Sequence, residues 1–185
     1  MIGERRLIPE LKNVRTVIQR CQNGEVRAFE IVYRHFEQPM LNLGLRMLGR
    51  QEDAEDAVQS AFIRLYRSVG NFKFHAKFET YLTRIMMNVC FDMLKKRRPR
   101  ELDAIESVEL AHNPQLDLRL QLEQSISELP DRMRACFVLF AVQNFKQKEV
   151  AEILNMKLGT VKATVFQAKA RLRDLLSDFQ TEVEK

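Results

Sequence analysis

Residues 101–117 carry five carboxylates, no lysine or arginine, and an Asn113-Pro114 pair. A 17-residue run of that kind reads as an acidic linker, so a domain boundary is expected there, with one small unit on either side of it. The sequence predicts a first domain over residues 1–100, a linker over 101–117 and a second domain over 118–185. Helix is the regular structure open to both units. Apolar residues recur at helical spacing, strand-type alternation never runs for more than a few residues, and the chain has only 6 glycines and 5 prolines. The expected fold class is therefore all-α, two small helical domains joined by a flexible acidic segment.

Residues 14–48 read as helical, with Val26, Phe29, Val32, Tyr33 and Phe36 on one stripe and Gly24, Pro39 and Gly49 as punctuation. The carboxylates of residues 51–56 suit the positive end of a new helix. That helix turns Ala57, Val58, Ala61, Phe62, Leu65 and Tyr66 inward and ends near Gly70. Residues 71–77 (NFKFHAK) form an aromatic and basic loop. A long helix over 78–98 follows, with Phe78, Leu82, Ile85, Val89 and Met93 on one face, and Pro99 closes it. Past the linker, one amphipathic helix spans 118–129, and the next, after Pro130, has Met133, Phe137, Phe140 and Ala141 on its apolar face. A helix over 148–154 buries Val150, Ile153 and Leu154, and Asn155-Met156 supplies a tight turn. The last helix, 160–176, faces Val161, Val165, Ala168, Leu172 and Leu175 inward, and these final elements assemble as a helix-turn-helix.

The formal net charge of +5 favours a polyanionic partner without identifying one. Cys21, Cys90 and Cys136 are odd in number and far apart, which suggests neither a disulfide framework nor a metal site and fits a reduced cytoplasm. No apolar run approaches the length of a membrane span, and the basic N-terminus is not followed by a signal-type apolar stretch, so the expectation is a cytoplasmic protein without membrane insertion. His35, His75 and His112 lie far apart, and no nucleophile–base pattern or glycine-rich phosphate loop emerges. No enzyme, cofactor or metal is expected.

Two stretches suit nucleic acid. The second helix of a helix-turn-helix can enter a major groove, and here it exposes Thr160, Lys162, Ala163, Thr164, Phe166, Gln167, Lys169 and Arg171. Lysine and arginine can neutralise phosphates, Gln167 can read a base edge, and Phe166 can touch a thymine methyl. A solvated helical hairpin is the plain alternative, against which a large apolar Phe166 beside the core stripe speaks. In the first domain, Phe72, Phe74, His75 and Lys77 precede a helix carrying Arg84, Asn88, Asp92 and Lys95 and ending in a basic run. Aromatics interleaved with cations suit unpaired bases stacked on rings with their backbone held by charge. Asn88 and Asp92, one turn apart, can read base edges or make a buried helix-to-helix hydrogen bond, while Phe78 and Tyr81 belong to the core.

The string DAEDAVQSAFIRLYRSVGNFKFHAKFETYLTRIMMNVCFDMLKKRR (residues 53–98) resembles region two of sigma-70 family factors of the extracytoplasmic-function (ECF) group. Residues 129–176, including EVAEILNMKLGTVKATVFQAKARLRDLL, resemble their region four. The resemblance implies a factor that binds RNA polymerase core and directs promoter-specific initiation, under the control of an anti-sigma factor. It implies that Asp53, Asp56 and Gln59 dock on the clamp helices of the largest polymerase subunit. Phe72, Phe74, His75, Lys77, Arg84, Asn88, Asp92 and Lys95 would then recognise and melt the −10 element, trapping extruded bases. Thr160, Lys162, Ala163, Phe166, Gln167, Lys169 and Arg171 would meet −35 DNA. An extended linker of 17 residues reaches roughly 56–61 Å, enough to separate two promoter-bound domains. Ser60 and Tyr81 stand where Glu and Trp are usual, and GTVKATVFQAKARL replaces a pattern like GTVKSRLHRARARL, which implies a weak or altered upstream contact. The rival readings are a dimeric repressor or activator on a palindromic site, and an adaptor that binds single-stranded RNA.

Overall fold

A computed structural model describes residues 7–97 and 114–183, with side chains described to Leu176 and, in the second unit, from Gln121 onward. The described residues contain eight α-helices and no strand: α1 (Val14–Gln22), α2 (Val26–Leu48), α3 (Gln51–Ser68), α4 (Phe78–Arg97), α5 (Pro114–Ser127), α6 (Asp131–Phe137), α7 (Gln147–Leu154) and α8 (Leu158–Val183). The all-α expectation holds. Helices α1 to α4 form one bundle around α2, and α5 to α8 form a second around α8.

The first core runs along α2, where Ala28, Val32, Phe36, Met40, Leu43 and Met47 are buried at the three-to-four-residue spacing of one helix face. Two sequence expectations fail here. Val26 is 71% exposed, and Pro39 lies inside α2 instead of ending it. Proline removes one N–H from the helix ladder, but fully buried Phe36, Met40 and Leu43 on either side hold the helix through tertiary packing. Gly44 sits where α2 meets α3 and α4. A Cβ placed there would lie 2.9 Å from Met86 Cε and 3.2 Å from Ala54 Cβ, so the missing side chain is what lets the helices approach. Tyr66, expected to point inward, is 58% exposed.

An unforeseen contribution comes from the segment before α1. Ile8 and Leu11 are buried, and the Leu11 N–H donates to Glu79 Oε1 at 3.3 Å, giving a carboxylate that is only 3% exposed a backbone partner.

In the second unit α5 begins at Pro114 rather than 118, a position where proline's missing N–H costs a helix nothing. The expected linker over 101–117 otherwise falls largely outside the described residues. Helix α6 continues into a π-type turn, Val138–Val142, in which the Gln143 N–H donates to the Val138 carbonyl five residues back at 2.8 Å. The buried face departs from the expected one already within α6, ahead of that turn. Ala135, Cys136, Val138 and Leu139 are buried, whereas Met133, Phe137 and Phe140 are half-buried and Ala141 is exposed. The other expected faces are found: Val150, Ile153 and Leu154 of α7, and Val161, Val165, Ala168 and Leu172 of α8, are buried, with Leu175 half-buried.

All three cysteines are buried free thiols. Burial pushes the Cys90 thiol up to about 12 and the Cys136 thiol up to about 11, and it raises Cys21 as well. The unfolded chain gives up these protons nearer the ordinary thiol range, so stability from the buried neutral thiols is complete below that range and is lost as pH rises toward the native values. At pH 8 the native chain is expected to react slowly with an aromatic disulfide reagent and to release its full three equivalents only after denaturation. Rapid stoichiometric labelling of the native chain would contradict this burial.

Candidate nucleic-acid interface

The loop between α3 and α4 is anchored before it is exposed. The Gln22 side-chain amide donates to two loop carbonyls, Val69 at 3.0 Å and Phe72 at 2.8 Å, tying α1 to the loop's first half. Phe72 is 7% exposed, with ring centroids 4.9 Å from Tyr81 and 5.6 Å from Phe78. Its ring therefore belongs to the core and offers no free face to a base, a correction to its place among the candidates. Tyr81 donates its hydroxyl proton to Ser68 Oγ at 2.8 Å, which fixes the far side of the same aromatic cluster.

Phe74 rests on this platform, 4.8 Å from Phe72 by centroids, half-buried, with φ of 56°. A left-handed backbone is costly for a bulky residue and persists only where its surroundings hold it. The Arg15 guanidinium lies 5.0 Å from its ring centre. His75 is exposed, and Lys77 is exposed and ion-paired with Glu10.

On α4, Asn88, Asp92 and Lys95 are exposed and follow one another at four- and three-residue spacing, so they share a face of the helix. Asn88 makes no buried helix-to-helix hydrogen bond. Asp92 is joined to Arg64 of α3 at 2.8 Å, an ion pair with both side chains about half exposed. Arg84 is half-buried, with a buried Nε that has no hydrogen-bond partner among the described residues.

In the second unit, the left-handed Asn155 ends α7, and α8 starts at Leu158 after a short turn. The Glu149 carboxylate accepts the Lys146 N–H at 2.9 Å and so caps the start of α7. At about 100° per residue, the buried stripe of α8 places Ala163, Phe166 and Gln167 outermost, flanked by Thr160 and Arg171 on one side and Lys162 and Lys169 on the other. All seven are exposed, and Phe166 is 76% exposed. Lys169 turns back over Phe140, its Nζ 5.4 Å from the ring centre, so it is less outward than its neighbours.

Helix α3 presents a different surface. Asp56 and Gln59 are exposed, but Asp53 is partly covered and lies 3.6 Å from Arg97. Gln59 borders a shallow apolar groove of about 590 Å³ lined by Phe29, Tyr33, Phe62, Ile63 and Tyr66. Ile63 is 53% exposed. The sequence reading missed this groove because Tyr66 fell on the apparent inward stripe, and only the excess of apolar positions on α3 hinted at a second apolar face. No described helix is long and apolar enough to cross a membrane.

Residues 32–100 match the family model for Sigma-70 region 2, and residues 119–172 match that for Sigma-70, region 4. The ECF RNA polymerase sigma factor SigW of Bacillus subtilis is 31% identical over 178 residues, covering 87% of this chain and 95% of that protein. The ECF RNA polymerase sigma-E factor of Escherichia coli (strain K12) is 29% identical over 170 residues, covering 83% and 88%. Among solved structures, CnrH in complex with the cytosolic domain of CnrY shares the fold at a TM-score of 0.68 and 22% identity, covering 89% of this chain and 97% of that one. The sigma factor RpoE in complex with the anti-sigma factor NepR from Bartonella quintana does so at the same TM-score and identity, covering 80% and 96%. With two ordered exposed surfaces on two helical units and relatives matching along nearly their whole length, this chain belongs to the sigma-70 family, in its ECF group, a family of transcription initiation factors rather than enzymes.

Proposed function

We propose that the chain binds core RNA polymerase in the cytoplasm, directs initiation at promoters with −10 and −35 elements, and is held in check by an anti-sigma factor. The observation that carries this reading is the presence, on one chain, of a pinned aromatic loop, the exposed Asn88, Asp92 and Lys95 face of the helix that follows it, and the exposed Phe166 face of α8. Phe74, His75 and Lys77 take extruded −10 bases, with Asn88, Asp92, Lys95 and Arg84 along the adjoining strand. Stacking and pocket contacts offset the few kcal/mol needed to unstack each base. Helix α3 docks on the clamp helices of the largest polymerase subunit, with Asp56 and Gln59 supplying polar contacts, Asp53 a further carboxylate and the Ile63–Tyr66 groove the apolar area.

Multi-round transcription by purified bacterial core polymerase, on promoter fragments from the source genome, tests the reading. Specific initiation that requires this protein supports it. No initiation and no core binding, with duplex binding retained, would favour a dimeric regulator instead. On α8, Lys162 is the best-placed phosphate contact, so Lys162→Ala is expected to lower the slope of log affinity against log salt by about one unit. An unchanged slope in a fluorescence anisotropy titration on −35 duplex would remove Lys162 from the DNA contact.

A further inference from the structure

Residues 8–22 converge on the loop between α3 and α4 from both of its ends. The Gln22 amide holds the Val69 and Phe72 carbonyls at the near end. At the far end Glu10 pairs with Lys77, and the Leu11 N–H reaches the buried Glu79 carboxylate in the first turn of α4. Ile8 and Leu11 are buried, so this N-terminal strap is built into the first core. Between the two anchors the Arg15 guanidinium stands over the Phe74 ring, 5.0 Å from its centre. Arg15 is exposed, lies in the first turn of α1, and belongs to neither of the nucleic-acid surfaces described above.

We propose that Arg15 is the outer jaw of the base-capturing site: a base extruded from a single strand enters between the Phe74 ring and the Arg15 guanidinium. This assignment rests on the reading of Phe74 as a base-capturing residue and adds a DNA contact from a helix outside it. The present gap is too narrow for a base. A flat base packed on both sides needs two contacts of about 3.5–4.0 Å, roughly 7–8 Å in all, so the guanidinium must move outward by about 2–3 Å. That movement costs little. A cation over an exposed ring is favoured only about two- to fivefold, whereas a base stacked on a ring is favoured by about fivefold to more than a hundredfold.

Once displaced, the guanidinium restacks on the outer face of the base, because its plane packs on bases as it does on rings. Its N–H donors lie in that plane and then point sideways, toward the backbone of the captured nucleotide, where a phosphate oxygen accepts a charge-assisted hydrogen bond. The lower jaw is fixed. Phe74 sits on Phe72 with a left-handed backbone, and the loop on either side of it is tied down by Gln22 and Glu10. The same Gln22 belongs to α1, so the helix that carries Arg15 is held in register with the loop that carries Phe74. One long flexible side chain is therefore the moving part of the site.

The probe is a short single-stranded DNA, enriched from a random-sequence pool on the full chain bound to core polymerase and counter-selected on core polymerase alone. Fluorescence anisotropy titrations at several salt concentrations then compare the variants. Arg15→Ala is expected to bind the selected strand about five- to tenfold more weakly and to lower the slope of log affinity against log salt by about 0.7, the value for one phosphate on a single strand. Arg15→Lys keeps the charge without the plane, so it should keep the wild-type slope and lose part of the affinity. Thermal melts of Arg15→Ala are expected to match the wild type, because the side chain is exposed. Wild-type affinity and slope in Arg15→Ala, beside weakened binding by Phe74→Ala, overturn the jaw and leave the base-capture reading standing. Weaker binding by Arg15→Ala at an unchanged slope makes Arg15 a prop for the Phe74 ring and also overturns it. If no strand is enriched, or Phe74→Ala binds as the wild type does, base capture at Phe74 fails and the jaw fails with it.

Discussion

Phe74→Ala is expected to reduce specific initiation by roughly ten- to a hundred-fold while leaving the fold nearly intact. A base stacked on an aromatic ring is worth about 1–3 kcal/mol, and each 1.4 kcal/mol is about a factor of ten. The stability cost should be small because the ring is only half-buried and its backbone already sits in the strained left-handed region at φ of 56°. Phe72→Ala should do the reverse. Phe72 is packed among Phe74, Phe78 and Tyr81, so its truncation empties the platform and lowers the melting temperature. Transcription assays run beside thermal melts separate the two. If Phe74→Ala initiates like wild type at equal stability, Phe74 is not the residue that captures a base.

The second large effect is structural. Gly44→Leu is expected to cost about 3 kcal/mol, the upper end for overpacking a closed core, against total stabilities of about 5–15 kcal/mol for ordinary domains. Alanine would already press on Ala54, whose Cα lies 3.3 Å from the added Cβ, but it gains up to about 1 kcal/mol of helix propensity over glycine. The Met86 methyl can swing away; the α3 backbone cannot. Gly44→Ala should therefore change stability little, and Gly44→Leu should lower the denaturation midpoint sharply. Equal midpoints for the two variants in urea titrations would mean that α2 and α3 are not in close contact at this position.

Much of the helical layout was legible because local chemistry decides it. The α7 and α8 inner faces, the breaks at Gly24, Gly49 and Asn155, and the end of α3 near Gly70 follow from spacing and from residues that tolerate left-handed backbone. The aromatic loop and the exposed basic face of α8 were legible for the same reason, as were the family's motifs. Periodicity fails where a helix has more apolar positions than one neighbour can cover. On α3 both Leu65 and Tyr66 fit an inward stripe, but α2 and α4 cover only the first. On α6 the buried residues are Ala135 and Cys136 while the larger Met133 and Phe137 stay half-buried, so residue size and spacing alone pick the wrong face.

The sequence by itself determined the helical class, the places where helices break and the two candidate nucleic-acid surfaces, because each depends on residues within one or two turns of each other. Only the tertiary structure decided that Phe72 is a support while Phe74 is presented, that Ile8 and Leu11 complete the first core, and that Arg134 reaches the end of α2. Those outcomes join groups up to 87 positions apart in the chain, and no local pattern specifies which distant element will cover a given face. Burial is settled by the competition of all the apolar faces for one another.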